Sequence, residues 1–172
     1  MIIRRETLED RAAVDAVTSA AFGRSAGVDG EPVETRLLRA LRDDAGWIST
    51  LSMVAEREDE IIGHVVCTRG RLGVLDALGL GPISVLPNRQ RRGVGSALMH
   101  AVIGAADACG ERLIALLGDP GFYSRFGFVP ASEHRVDAPD PAWAEYFQIR
   151  TLTNCPPVIA GAFRYAAPFA AL

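Results

Sequence analysis

Apolar and polar positions follow two periods along this chain, and the switches between them mark out its elements. Ile2 to Arg5 is short and extended in character. Thr7-Leu8-Glu9-Asp10 has the spacing of a capping box and predicts a helix through about Phe22. The Gly-rich stretch GRSAGVDGE, residues 23–31, predicts a loop. Pro32 then stands at a tolerated first-turn position, and Val33, Leu37, Leu38 and Leu41 recur at helical spacing up to the polar Arg42-Asp43-Asp44, predicting a second, amphipathic helix. Leu51 to Arg57 and Ile61 to Arg69 form a hairpin pattern around Glu58-Asp59-Glu60, with Val and Ile concentrated on the second arm. A further strand is expected over about Leu78 to Leu86.

The second half continues the alternation. Val94, Leu98, Ala101, Val102, Ala105 and Cys109 lie on one helical stripe, with Gly110 placed to cap its end. Leu113 to Leu117 is an unbroken apolar run, the form of a strand buried on both faces. Asp119 with Pro120 can start a short helix carrying Phe122, Tyr123 and Phe126, after which Gly127-Phe128-Val129 resumes an extended course. SEHRVDAPDPAW, residues 132–143, predicts a polar Pro-rich loop, and strands are expected near Tyr146 to Leu152 and Ala162 to Tyr165. With no internal repeat and no second hydrophobic unit, the pattern implies one α/β domain over residues 1–172, a mixed central sheet flanked by helices.

Composition narrows the class only slightly. The length of 172 residues suits one domain with a substantial core, and 49% hydrophobic residues suit a globular chain. A net charge of −3 supplies no general attraction to nucleic acid or an anionic membrane, so neither is an expected partner. The three cysteines, Cys67, Cys109 and Cys155, are odd in number and far apart, which argues against a disulfide framework or a metal site. The N-terminus turns charged at once and no apolar run reaches spanning length, so a cytoplasmic protein without signal peptide or anchor is expected.

One segment changes this picture. Gln90-Arg91-Arg92-Gly93-Val94-Gly95 lies between the apolar run Gly81 to Leu86 and a helical pattern, so a strand feeds a short basic turn and a helix opens behind it. Glycines permit close backbone approach, and the free amides and positive dipole end of the helix favour a phosphate or pyrophosphate. A dinucleotide fingerprint fails, because its third glycine position is Leu98 and Pro87 to Arg91 intervene after the strand. A nucleotide-triphosphate loop fails for want of Gly-Lys-Ser/Thr. The spacing Gln/Arg-x-x-Gly-x-Gly/Ala resembles the acyl-CoA-binding motif of the GNAT superfamily of N-acyltransferases. LGLGPISVLPNRQRRGVGSAL resembles that superfamily's fourth strand, pyrophosphate loop and following helix. ERLIALLGDPGFYSRFGFVPA resembles its fifth strand and tyrosine-bearing short helix, with Leu-Gly-Asp-Pro and Phe-Tyr-x-Arg-Phe-Gly-Phe most like a bacterial branch of predicted N-acetyltransferases.

The resemblance implies a GNAT-like sheet whose central parallel strands splay apart, an acetyl-CoA cosubstrate, no metal, and transfer of the acyl group to a primary amine by direct attack in a ternary complex. Carried onto this chain, it implies backbone contacts from Ile83, Ser84 and Val85 to the pantetheine arm, with the Ile83 and Val85 side chains remaining core. It implies a pyrophosphate cradle formed by Gln90, Arg91, Arg92, Gly93, Val94, Gly95 and Ser96, and it makes Tyr123 the acid that protonates the departing thiolate. Each has a bland alternative: helix packing for Gly93 and Gly95, a solvated turn for Arg89, Arg91 and Arg92, and an aromatic cluster with Phe122 and Phe126 for Tyr123. Pro82 lacks a ladder donor and suggests a strand start or bulge. The amine must lose a proton before attack, and Glu31, Glu34, His64 and Asp76 are candidate bases by type, His64 more in keeping with a structural role. A cysteine nucleophile at Cys67 or Cys109 is a weak rival, and a non-catalytic CoA-binding or regulatory module is the alternative from another class. The acceptor is not identified, and a monomer and a homodimer fit equally.

Overall fold

Central strands buried on both faces and helices buried along one side produce a sheet sandwiched between helices. The computed structural model describes residues 1–23 and 30–171, so most of the expected Gly-rich loop, residues 24–29, lies outside the described residues. In chain order the strands are β1 (Ile2–Arg5), β2 (Trp47–Arg57), β3 (Glu60–Leu72), β4 (Leu75–Val85), β5 (Leu113–Leu117), β6 (Val129–Pro130), β7 (Val136–Asp137), β8 (Phe147–Thr151) and β9 (Gly161–Arg164). The helices are α1 (Arg11–Phe22), α2 (Val33–Arg42), α3 (Val94–Ala108) and the single turn α4 (Pro120–Tyr123).

The sheet runs β1-β2-β3-β4-β5-β8-β6, with β9 added at the end of β3 and β7 beside β9. Along its main path β4 and β5 are the parallel pair; their neighbours pair antiparallel. The β2–β3 hairpin closes through Glu58 and Asp59, both at positive φ (56° and 61°), the two-residue turn whose twist suits adjoining strands.

α3 packs on one sheet face through Val94, Leu98, Met99, Val102, Ile103 and Ala106, joining Leu51, Val65, Cys67, Leu78 and Ile114 in the largest core cluster. The stripe expected on α3 holds at Val94, Leu98 and Val102, but Met99, Ile103 and Ala106 complete it, while Ala101 and Ala105 are half-buried and Cys109 is exposed. An alanine-rich helix is apolar nearly all round, so spacing alone does not fix the edges of its inner face. On the opposite sheet face, Val14, Val17 and Leu38 of α1 and α2 cover Val54, Ile61 and Val66. Thr7 and Asp10 form half of the expected capping box: Asp10 accepts from the Thr7 N–H (2.8 Å) and hydroxyl (3.0 Å). Pro32 is the residue before the first helical position of α2.

The expected polar loop after β6 is more ordered than its composition suggests. It holds 3-10 turns at Ala131–His134 and Pro141–Trp143 with β7 between them. Asp140 caps the second turn by accepting from the Ala142 N–H at 2.8 Å, and Val136 buries its side chain against Phe147 and Phe163.

Two irregularities prepare the site. Val65 pairs with Ile83 but Cys67 pairs with Leu80, so β4 carries one extra residue around Gly81-Pro82, the bulge that Pro82 suggested. β4 and β5 pair only through Leu78↔Ile114 and Gly79↔Ala115. Beyond these rungs β5 continues its ladder with β8, while Leu80 to Val85 keeps partners on the β3 side alone. The parallel strands thus splay, as the resemblance implied.

Candidate active site

β4 delivers the chain to the anion cradle. A 3-10 turn at Pro87–Arg89 follows it, Arg91 adopts the left-handed region (φ 58°), and Gly93 precedes α3 at φ 84°. No other atom lies within 4 Å of a Cβ built on Gly93, so it is the backbone angle, not space, that favours glycine there. Ala97 makes the first bond back into the helix, to the Gly93 carbonyl at 2.9 Å. The amides of Val94, Gly95 and Ser96 precede that bond and have no acceptor within the helix. The Gln90 side-chain amide donates to the Val85 carbonyl at 3.1 Å and ties the turn to β4.

A groove of about 640 Å³ lies along this turn, between Ile83 and Val85 on one wall and Phe122 and Arg125 on the other, with Gln90, Arg91, Gly93, Gly95 and Ser96 at its end. A Cβ on Gly95 would stand 3.7 Å from Phe122 and 3.9 Å from Val85, inside the groove rather than in the helix packing. Ile83 and Val85 are half-buried and line this groove, so their side chains serve it as well as the core. The splay removes the neighbouring strand that would have covered them. Ser84 faces the other way, buried, and shares a hydrogen bond with Thr18 at 3.1 Å. Val94 buries its side chain in the core, leaving its amide as its contribution.

The arginines divide. Arg91 lines the groove, Arg92 is exposed and off it, and Arg89 turns toward Glu60 at 3.4 Å. Arg125, which sequence reasoning missed, lies over the Phe122 ring at 5.1 Å and donates to the Gly121 carbonyl at 3.2 Å. Its position in the motif-like Phe-Tyr-x-Arg-Phe segment was the available signal.

Ile83 also borders a second cavity of about 780 Å³, on whose wall Tyr123 stands. Asp119 caps the α4 turn by accepting from the Gly121 N–H at 2.8 Å. The Tyr123 ring packs edge-on to Phe122 (4.9 Å) and Phe128 (6.0 Å). Burial, with a smaller push from the Asp119 carboxylate, raises its hydroxyl to about 12, so it stays protonated at neutral pH. Opposite it the C-terminal segment folds back: Tyr165 lies against Gly79, where a Cβ would come within 2.4 Å of the ring, and stacks on Phe169 at 4.6 Å. Burial pushes the Tyr165 hydroxyl far above the usual phenol value. Trp143, Tyr165 and Phe169 were not singled out in the sequence, since long-range folding alone brings them to the site.

Of the four candidate bases, Glu34 lines this cavity. Glu31 is paired with Arg39 at 2.8 Å and Asp76 with Arg71 at 3.1 Å, away from it. His64 is fully buried with its Nε2 2.9 Å from Ser52 Oγ, and the Ser52 hydroxyl in turn donates to Glu6. With Ser52 donating to the carboxylate, His64 Nε2–H donates to Ser52, the neutral tautomer with Nδ1 bare. Nδ1 indeed has no partner among the described residues. Burial, the largest influence, depresses the His64 pKa despite Glu6. Burial resists ionisation of Glu6, but the His64 Nε2–H, 3.4 Å away and shared with Ser52, the Ser52 hydroxyl and the Arg42 charge outweigh it and hold its carboxyl below the usual range. This network braces α2 against β2, consistent with a structural His64. Cys67 is buried and its thiol pushed well upward by desolvation, and Cys109 is exposed at the end of α3, so neither stands at the site.

Comparison with known proteins gives a consistent result. Residues 49–130 match the acetyltransferase (GNAT) domain family. The chain is 30% identical over 159 residues to the uncharacterized N-acetyltransferase YhbS of Escherichia coli (strain K12), covering 90% of this chain and 89% of YhbS. Among solved structures, a GNAT family acetyltransferase from Brucella melitensis in complex with acetyl-CoA is 32% identical with a TM-score of 0.79, covering 98% of this chain and 97% of the other. YhbS from Escherichia coli in complex with CoA gives a TM-score of 0.85 at 25% identity, covering 98% and 91%. The chain belongs to the GNAT family of acetyltransferases.

Proposed function

We propose that this protein is an acyl-CoA-dependent N-acetyltransferase that moves acetyl from acetyl-CoA to a primary amine by direct attack within a ternary complex. The observation that carries this reading is the junction of two cavities at Ile83, one ending in the Gln90–Ser96 turn and the other walled by Tyr123. The complexes of the Brucella relative with acetyl-CoA and of YhbS with CoA support the same ligand in the first cavity.

In this reading the amides of residues 94–96 and the Arg91 guanidinium hold the pyrophosphate, and the unpaired edge of β4 from Ile83 to Val85 aligns the pantetheine arm. The amine enters from the second cavity, loses a proton, and its nitrogen lone pair forms the C–N bond at the thioester carbonyl. As the C–S bond breaks, the sulfur takes the electron pair, the Tyr123 hydroxyl donates a hydrogen bond to the developing thiolate, and the surplus proton of the attacking nitrogen leaves to solvent, giving the amide and CoA. No cysteine is required.

Thiol release measured with acetyl-CoA and a panel of amines tests this. Amine-dependent CoA release with intersecting initial-rate lines is expected for a ternary complex. Tight CoA binding without amine-dependent release would instead mark a non-catalytic CoA-binding module, and parallel lines would indicate a covalent intermediate.

A further inference from the structure

We infer that the acceptor is a primary amine carried on an apolar, ring-sized body, and that Glu34 receives its ammonium group; this rests on the N-acetyltransferase reading of the adjoining groove. The second cavity, about 780 Å³, has the size of a small-molecule site. Its walls are chiefly apolar and aromatic: Phe22 and Leu37 from the first two helices, Trp143 from the loop after β7, and Tyr165 and Phe169 from the C-terminal segment. The charged side chains on its lining are Glu34 and Arg164, and Arg164 belongs to an exposed position of β9.

Glu34 differs from the carboxylates around it. Glu6 pairs with Arg42, Asp15 with Arg39 and Arg42, and Glu31 with Arg39. Glu34 has no ion pair among the described residues, and its Oε2 is buried without a hydrogen-bond partner. A carboxylate without a cationic partner on an apolar wall favours a ligand cation that enters beside it, and rotation of the Glu34 carboxylate would present its buried oxygen to that cation. One carboxylate can neutralise one ammonium. Apolar walls and the Arg164 guanidinium penalise a second, so polyamines, aminoglycosides and lysine-rich peptides fit poorly. A ring fits well, because the stacked Tyr165 and Phe169 supply aromatic surface.

The test compares wild type with Glu34→Gln, using 2-phenylethylamine, tryptamine, spermidine, kanamycin and a lysine-containing peptide as acceptors, with acetyl-CoA affinity measured calorimetrically. In wild type, kcat/KM for the two ring-bearing amines is expected to exceed that for the others by about 100-fold or more. Glu34→Gln should raise KM for 2-phenylethylamine at least 10-fold while leaving acetyl-CoA affinity and melting temperature near wild type. Competition by 2-phenylethanol, which lacks the ammonium, should be unchanged by the substitution and reports an intact cavity. Preference for spermidine, kanamycin or the peptide overturns the inference while leaving the N-acetyltransferase reading in place. An unchanged KM in Glu34→Gln overturns the role of Glu34. Failure of wild type to bind acetyl-CoA overturns both readings.

Discussion

Tyr123→Phe removes one proton donor and little else. The ring keeps its edge contacts with Phe122 and Phe128, so packing against α4 and the core is preserved. The size of the catalytic loss follows from the environment of the hydroxyl. At about 12 it is a weaker acid than the thiol of the leaving group, near 8.5. Full proton transfer to a free thiolate is therefore uphill by about 3.5 units, or about 5 kcal/mol. What remains is a hydrogen bond to developing charge on sulfur, about 1.5–3 kcal/mol, which converts to about 10–150-fold in rate. Single-turnover rates should fall by that factor, at the low end of general-acid contributions, with acetyl-CoA affinity and melting temperature close to wild type. Because the hydroxyl stays protonated, the wild-type chemical step should show no loss from Tyr123 between pH 7 and about 11. Single-turnover and steady-state measurements are both needed, since slow product release can mask a chemical defect. A chemical step at the wild-type rate in Tyr123→Phe would refute the assignment and leave the tyrosine a packing residue.

Gly95→Val should abolish calorimetric acetyl-CoA binding with little change in melting, because the new side chain fills the groove between Phe122 and Val85 rather than the core; undiminished affinity would remove the cradle from this turn. Arg91→Ala should weaken CoA by about 10–150-fold, the worth of a charged hydrogen bond, and pantetheine hardly at all. Arg92→Ala, off the groove, should cost less, and equal losses of CoA and pantetheine in Arg91→Ala would point to packing. Stability should fall continuously with acid. His64, held low by burial, favours the folded state above its ordinary value of 6.5 and ceases to do so as the pH drops, and Glu6 contributes fully above about 4.5 and loses its contribution as the pH falls through its lowered value. Glu6→Gln should lower the melting temperature at pH 7 and flatten the acid limb below pH 4.5; an acid limb as steep as wild type would exclude Glu6 as its source.

The parts of this fold that depend on neighbours in sequence were legible. Gln90 to Gly95 signalled a strand, basic turn and helix opening through local spacing, and Pro82 signalled the bulge because a missing amide proton is a local fact. Leu37, Leu38 and Leu41 announced α2 because polar residues separate them cleanly. On α3 the spacing found the centre of the inner face at Val94, Leu98 and Val102 but not its edges, since alanines blur the contrast between faces. The acceptor cavity was illegible for a different reason. Phe22, Glu34, Trp143, Tyr165 and Phe169 share no motif, and it takes the return of β9 onto the end of β3 to bring them together. Arg125 fell between these cases: its neighbours drew notice and its reach into the groove did not.

The short pairing of β4 with β5 has a thermodynamic side. A sheet interrupted after two rungs leaves peptide groups from Leu80 to Val85 facing a gap, where water is a mobile substitute for a strand. A donor arm with amide groups of its own can take that place as an inserted rung, in the manner of an added strand. The cosubstrate then belongs to the architecture as much as to the reaction. Its binding free energy becomes folding free energy, about 2.7 kcal/mol when present at a hundred times its dissociation constant. Protection of β4 amides from hydrogen exchange should rise with donor occupancy, and the protein should be most resistant to unfolding when it is charged for catalysis.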